Sequence, residues 1–443
     1  MARVEGWIRR VGSGVLLLVS FLAATAAGLL IPYALAAWVG SLPVVTLASL
    51  AAFGVVAWLG TRAVVAVWPG SLASHIALLG AASSTLVFLA VLYILVLRPS
   101  ASRFPEVEPY ENTRYWTLAT GSVIAHSDFE PPPGVTRRPE AIVYLHGGPG
   151  ARQGPFDQSI YGGFASEGFR VVLFDQAGSG LSGFLPHLRD YTIARSVEDL
   201  EAVRRQIGVE RMILIGHSWG STLAASYMAK YPAHVAKVIF HSPARIWELE
   251  QEDFDFSRTA DGRAGLPAPR LLAALLLRDR NRELAERLLS QQESEMLLIP
   301  YFRKTLGEVV CAGAFSKLPP ELIELLDGHE NPGVNPYVLQ ELVPRTGDSS
   351  TDPHPALRTN PTPAILLYPE CNYLSWAGTL DYKKTFKNLK IYFIPRAGHY
   401  IQFEQPDLLR RVIQGFLLDR PEVLPAYDRE EDPRGPGTPS QGP

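Results

Sequence analysis

The sequence predicts an α/β protein, a doubly wound and mostly parallel sheet with a helical cap, preceded by about three membrane-spanning helices. Three observations carry this. From Val11 to Thr61 there is no Asp, Glu, Lys or Arg, and only Arg62 interrupts the uncharged stretch before Arg98. Beyond it, short apolar runs alternate with amphipathic helical patterns. Between one such run and one such helix stands Gly216-His217-Ser218-Trp219-Gly220, which asks for a tight strand-to-helix turn.

A spanning helix needs ~20 apolar residues to cross ~30 Å of hydrocarbon. The apolar region divides at Gly40, Ser41 and Pro43, and again at Trp68, Pro69, Gly70 and Ser71, giving spans near Val15 to Val39, Val44 to Val67 and Leu72 to Leu97. Trp38, Trp68 and Tyr93 fall near the ends, where amphipathic rings favour the headgroup level, and Pro32 kinks the first span. Residues 1–38 also resemble a cleavable signal peptide, but two apolar spans would remain after cleavage. Arg3, Arg9 and Arg10 favour a cytoplasmic N-terminus, so three crossings place the remainder outside; Arg98 and Arg103 argue the other way.

After a polar linker over 99–113, the runs Ala141 to Leu145, Arg170 to Phe174, Met212 to Ile215, Val235 to Phe240, Ala364 to Tyr368 and Lys390 to Ile394 read as parallel strands covered on both faces. Ser196 to Ile207 and Ser221 to Lys230 read as helices between them, the former with Val197, Leu200, Val203 and Ile207 on one stripe. The chain therefore divides into an anchor (1–98), the linker, a first core part (114–242), a helical cap (243–362), a second core part (363–420) and an acidic, Pro- and Gly-rich tail (421–443) expected to be disordered.

Charge excludes other classes. The 41 basic and 44 acidic side chains leave a net charge of −3, without the concentrated positive surface that nucleic acid requires. Cys311 and Cys371 are too few for a disulfide framework and can pair only if the domain lies outside the cytoplasm; the sequence leaves that open. No phosphate loop, zinc signature or dinucleotide fingerprint occurs, so neither metal nor cofactor is expected. The run Glu248, Glu250, Glu252, Asp253 and Asp255 reads as a solvated face, with an ammonium-binding site as its alternative.

The chemistry points to a nucleophile. In Gly216-His217-Ser218-Trp219-Gly220 a serine sits at the carboxyl end of a strand, where a helix begins and its free amides face developing negative charge. His146-Gly147-Gly148-Pro149-Gly150 follows another strand and exposes backbone N–H groups. An oxyanion needs two such donors, and the natural pair is Trp219 with Gly148; His146 reads as a loop brace. His399, in the loop after the last apolar run, fits the order nucleophile, acid, histidine.

These motifs, with Asp175-Gln176-Ala177-Gly178-Ser179-Gly180-Leu181-Ser182 and Gly398-His399, resemble the proline iminopeptidase branch of the α/β-hydrolases. The resemblance covers roughly 113–243 and 363–418. It implies the α/β-hydrolase fold and a serine hydrolase acting through an acyl-enzyme on a small peptide, amide or ester near the membrane. Peptidase or amidase action on an N-terminal residue is the first expectation; an esterase on lipid or xenobiotic esters, or a catalytically impaired binding protein, are the alternatives. Two departures stand out. Ala177 replaces an arginine of the family's second motif, and Asn372 stands where its catalytic aspartate is expected. A neutral amide cannot stabilise the imidazolium that forms at His399, so a substitute carboxylate is expected: Glu370 first, Glu248 second, with Asn372 alone as the remaining alternative.

Overall fold

The computed structural model describes residues 2–67, 71–99, 107–247, 268–289 and 352–435, together with 293, 310, 311, 320, 335, 338 and 342. It divides into two compact units, one comprising 1–102 and 262–294, the other 103–261 and 295–443.

In the first unit, α1 (Ala2–Leu35), α2 (Leu42–Val67) and α3 (Ser71–Leu92) are the expected apolar helices, and a turn of π-helix continues α3 over Tyr93–Leu97. Val11–Leu35, Leu42–Ala66 and Leu78–Leu97 are long and apolar enough to cross a membrane. The first break falls at the expected Gly40 and Ser41; Trp68, Pro69 and Gly70 lie outside the described residues. Phe53 and Phe88 stack at 4.2 Å between α2 and α3.

Most of the segment assigned to the cap lies outside the described residues. Helices α7 (Ala268–Arg280) and α8 (Arg282–Leu288) belong with α1–α3. Leu284 joins Ala36 and Val45 in one apolar cluster, and Arg270 donates to Glu293 at 2.7 Å and to the carbonyl of Val96. Leu277 of α7 packs against the same cluster.

The second unit is built on an eight-stranded sheet in the order β1-β2-β4-β3-β5-β6-β7-β8. The strands are β1 (Thr113–Thr117), β2 (Val123–Phe129), β3 (Ala141–Leu145), β4 (Arg170–Phe174), β5 (Met212–His217), β6 (Val235–His241), β7 (Ala364–Cys371) and β8 (Leu389–Gly398). All neighbours from β4 to β8 pair in parallel; β1 and β2 are antiparallel additions that the sequence did not announce. β3 and β5 are buried at every residue, which explains their continuous apolar runs.

One face of the sheet is covered by α5 (Ile193–Ile207) and α6 (Trp219–Lys230), the other by α4 (Pro155–Gly162) and α10 (Pro406–Leu417). Thr192 caps α5 by accepting from Arg195 N, and Gly208 ends it in the left-handed region at φ 77°. Helix α9 (Trp376–Thr385) joins β7 to β8.

Of the tail expected to be disordered, 421–435 are described and 436–443 lie outside the described residues. Residues 421–435 are ordered: Leu424 and Ala426 pack against one apolar cluster and Tyr427 against the other, while its backbone N–H donates to Ile391 O at 2.7 Å. Aromatic and aliphatic side chains spaced among the charges give this stretch something to bury, which its composition concealed.

Candidate active site

The carboxyl ends of β3, β5, β7 and β8 carry, in that order, Gly148, Ser218 with Trp219, Asn372 and His399. Ser218 follows β5 at φ 52°, ψ −121°, a conformation that non-glycine residues rarely adopt. Surrounding bonds hold it there: Ser218 N donates to His241 O at 2.9 Å, and its carbonyl accepts from Ser221 N at 2.9 Å and Ala244 N at 3.1 Å. Such strain persists only where neighbours over-determine it. The flanking glycines are steric necessities, since a Cβ on Gly216 would lie 2.5 Å from Gly220 O and one on Gly220 would lie 2.1 Å from Leu145 O.

The Gly-rich loop after β3 touches the turn directly. A Cβ on Gly147 would meet Ser218 Cβ at 2.8 Å, so the loop runs against the serine's own carbon. Gly148 sits at φ 111°. His146 braces this loop: its Nε2 accepts from Gln176 N at 2.9 Å, its Nδ1 faces Gly147 O at 2.9 Å, and its carbonyl accepts from Gln176 Nε2 at 2.9 Å. Burial holds its pKa down to about 4, so it is neutral and committed to structure. Asp175 ties the same loops by accepting from Gln153 N at 2.9 Å and Leu181 N at 3.0 Å; burial raises its pKa to about 6. Asn335 adds a link that its sequence context did not reveal, donating its backbone N–H to Gly150 O and its Nδ2 to Gly178 O, each at 2.8 Å.

His399 follows β8. Its Nδ1 lies 3.0 Å from Asn372 Oδ1, its carbonyl lies 3.2 Å from His217 Nε2, and its ring lies 4.9 Å from that of His217. The imidazole is thus packed on the residue that precedes the serine. Burial, reinforced by His217, pushes its pKa well below 6.5, which keeps it neutral.

The partner of His399 is Asn372, not Glu370. Glu370 is exposed, and its Oε2 accepts from Arg396 N at 2.7 Å. The β7–β8 pairing shifts register between Pro369 and Cys371, which turns residue 370 outward while Cys371 pairs with Gly398. Glu248, and the acidic run that it begins, lie outside the described residues. Asn372 is 2% exposed, and its Oδ1 also accepts from Leu374 N at 3.3 Å. That second bond fixes which end of the amide faces the ring: an oxygen held by two donors leaves Nδ1 of His399 protonated and Nε2 bare.

Two further features frame the pair. Cys311 and Cys371 form a disulfide one residue before Asn372. Glu404 accepts from Gly398 N at 2.5 Å and from Cys311 N at 3.1 Å, beside His399 in sequence. Neither pairing was legible beforehand. His241 was missed too, although its place at the carboxyl end of β6 marked it; it accepts or donates at Tyr161 Oη, 2.8 Å away. Among the described residues no group of three or more His, Cys, Asp or Glu is arranged to hold a metal ion.

Residues 140–288 match the family described as alpha/beta hydrolase fold. The chain is 35% identical over 137 residues to a proline iminopeptidase of Heyndrickxia coagulans, covering 30% of this chain and 45% of that one. It is 37% identical over 98 residues to the proline iminopeptidase of Neisseria gonorrhoeae, covering 22% of this chain and 31% of that one. The crystal structure of a Mycobacterium smegmatis proline iminopeptidase aligns over 69% of this chain and 98% of its own, at 20% identity and a TM-score of 0.47. The matches to the two curated relatives span less than half of either's length.

Proposed function

Because the chain carries an α/β-hydrolase-fold domain, we propose that it is a membrane-anchored serine hydrolase acting through an acyl-enzyme, with a short peptide or amide as substrate in the manner of a proline iminopeptidase. The observation that carries this reading is the strained turn at Ser218 whose preceding residue, His217, packs on His399, itself oriented by Asn372.

In this reading Ser218 Oγ attacks the carbonyl carbon while Nε2 of His399 takes its proton. The amides of Trp219 and Gly148 receive the oxyanion, and His399 then returns the proton to the leaving group before water releases the acyl group. Converting the aspartate of such a triad to asparagine can reduce turnover by ~10⁴, through the wrong imidazole tautomer. Leu374 N–H opposes that outcome here, because it holds the amide oxygen toward the ring. What Asn372 cannot supply is charge. That deficit favours a second reading, a fold retained for binding with impaired catalysis.

The three apolar helices support anchoring, and the Cys311–Cys371 disulfide supports an extracytoplasmic catalytic domain, since such bonds persist in oxidising compartments. The test is covalent labelling by a fluorophosphonate. Labelling of wild type and not of Ser218→Ala is expected. No labelling would overturn the enzymatic reading and leave the binding protein. Turnover of acyl esters but not of proline arylamides would overturn the peptidase assignment.

A further inference from the structure

We propose that the ordered C-terminal strap positions the catalytic pair, with Arg434 as the residue that holds Asn372 in register with His399; this rests on the serine-hydrolase reading above. Beyond α10 the chain returns along the far edge of the sheet and is pinned at successive points. Tyr427 N donates to Ile391 O at 2.7 Å, Trp376 Nε1 to Glu430 O at 2.7 Å, and Lys383 Nζ to Arg429 O at 2.9 Å. The rings of Tyr427 and Trp376 meet edge to face at 5.6 Å.

The strap delivers Arg434 to the turn after β7, where Nη1 donates to the backbone carbonyl of Asn372 at 2.9 Å. The guanidinium is itself fixed: Nε and Nη2 donate to Asp432 at 2.9 and 2.7 Å, and its plane lies 5.4 Å from the Tyr368 ring centroid. Its side chain is 8% exposed. A planar fork with one edge on a carboxylate and its Cζ over an aromatic ring has a single orientation, and in it an Nη1 hydrogen meets the carbonyl of Asn372.

The position matters because Asn372 is neutral. An aspartate attracts the imidazole by charge and tolerates small displacements; an amide sets the tautomer by hydrogen-bond geometry alone, so the turn carrying it needs external bracing. The backbone N–H of Asn372 donates to Pro369 O, at 3.2 Å, three residues back along the same strand end. Arg434 ties that turn to a separate element.

The test compares second-order rates of fluorophosphonate labelling for the full chain in detergent, alongside melting temperature and the ¹⁵N shifts of the His399 ring. Arg434→Gln is expected to slow labelling at least tenfold with little change in melting temperature, and to mix the Nδ1–H and Nε2–H tautomers. Arg434→Lys is expected to recover part of the rate. Adding Asn372→Asp to Arg434→Gln is expected to restore it, because the carboxylate then orients the ring by charge. An Arg434→Gln chain with wild-type rate and a pure Nδ1–H tautomer would overturn the proposal, as would a loss of rate that Asn372→Asp does not recover. The ring shifts report on the positioning role even if wild type does not label, an outcome that counts instead against the hydrolase reading.

Discussion

Replacing Asn372 by aspartate should accelerate acylation. The asparagine oxygen lies 3.0 Å from Nδ1 of His399, which puts a carboxylate charge about 4 Å from the centre of an imidazolium. At an effective dielectric constant of about 20, that pair is worth about 4 kcal/mol, or roughly 10³ in rate if all of it appears in the transition state. Part is lost. Asn372 Nδ2 is buried without a hydrogen-bond partner, so the second carboxylate oxygen would enter a site that offers it no donor among the described residues. A rise of roughly 10² is therefore expected. The sign with pH follows. In wild type His399 is held well below 6.5 by burial and by His217, so the labelling rate should stay flat as pH falls through 6.5. A neighbouring carboxylate raises that pKa, and the Asn372→Asp profile should begin to fall at higher pH than wild type. The assay is the fluorophosphonate labelling constant from pH 5 to 8. An equal or slower rate in a variant of unchanged melting temperature would refute the argument that charge is what this triad lacks.

Stability should fall on acidification. Burial holds His126, His146 and His217 near 4, and His241 and His399 well below 6.5, so their neutral-state contribution is complete above 6.5 and is lost as pH drops toward 4. Buried Asp157 and Asp175, raised to about 6, act oppositely, as do Glu404 and His354, whose pKa values are also raised, but the five histidines outnumber these four; a melting temperature that rises from pH 7 to 5 would contradict this accounting. Gly220→Ala should cost about 3 kcal/mol and abolish labelling, because its Cβ would lie 2.1 Å from Leu145 O. Calorimetry and labelling check it, and a wild-type result in both would remove the steric reason for the second glycine.

The parallel core was legible because its physics is local. Strands buried on both faces must be continuously apolar, and β3 and β4 begin and end where their runs do. β1 and β2 were not, since Thr113–Thr117 is a half-exposed edge whose residues resemble the polar linker before it. Ser218 and His399 were legible from chain order and neighbouring glycines. Chemistry alone favours the carboxylate of Glu370 over Asn372, whereas the β7–β8 register decides which side chain faces the histidine. Arg434 lies 62 residues beyond Asn372 and could be found only through the folded path of the strap.

The bridge between Cys311 and Cys371 closes a loop of 60 residues lying between the serine half of the catalytic pair and the histidine half. A protease that cut the backbone anywhere inside that loop would leave two polypeptides still joined through sulfur, one carrying the three long apolar helices and Ser218, the other Asn372, His399 and the strap. Such a nicked molecule keeps every group of the proposed mechanism on a single covalent assembly, and it separates into two bands only when a thiol reductant is added.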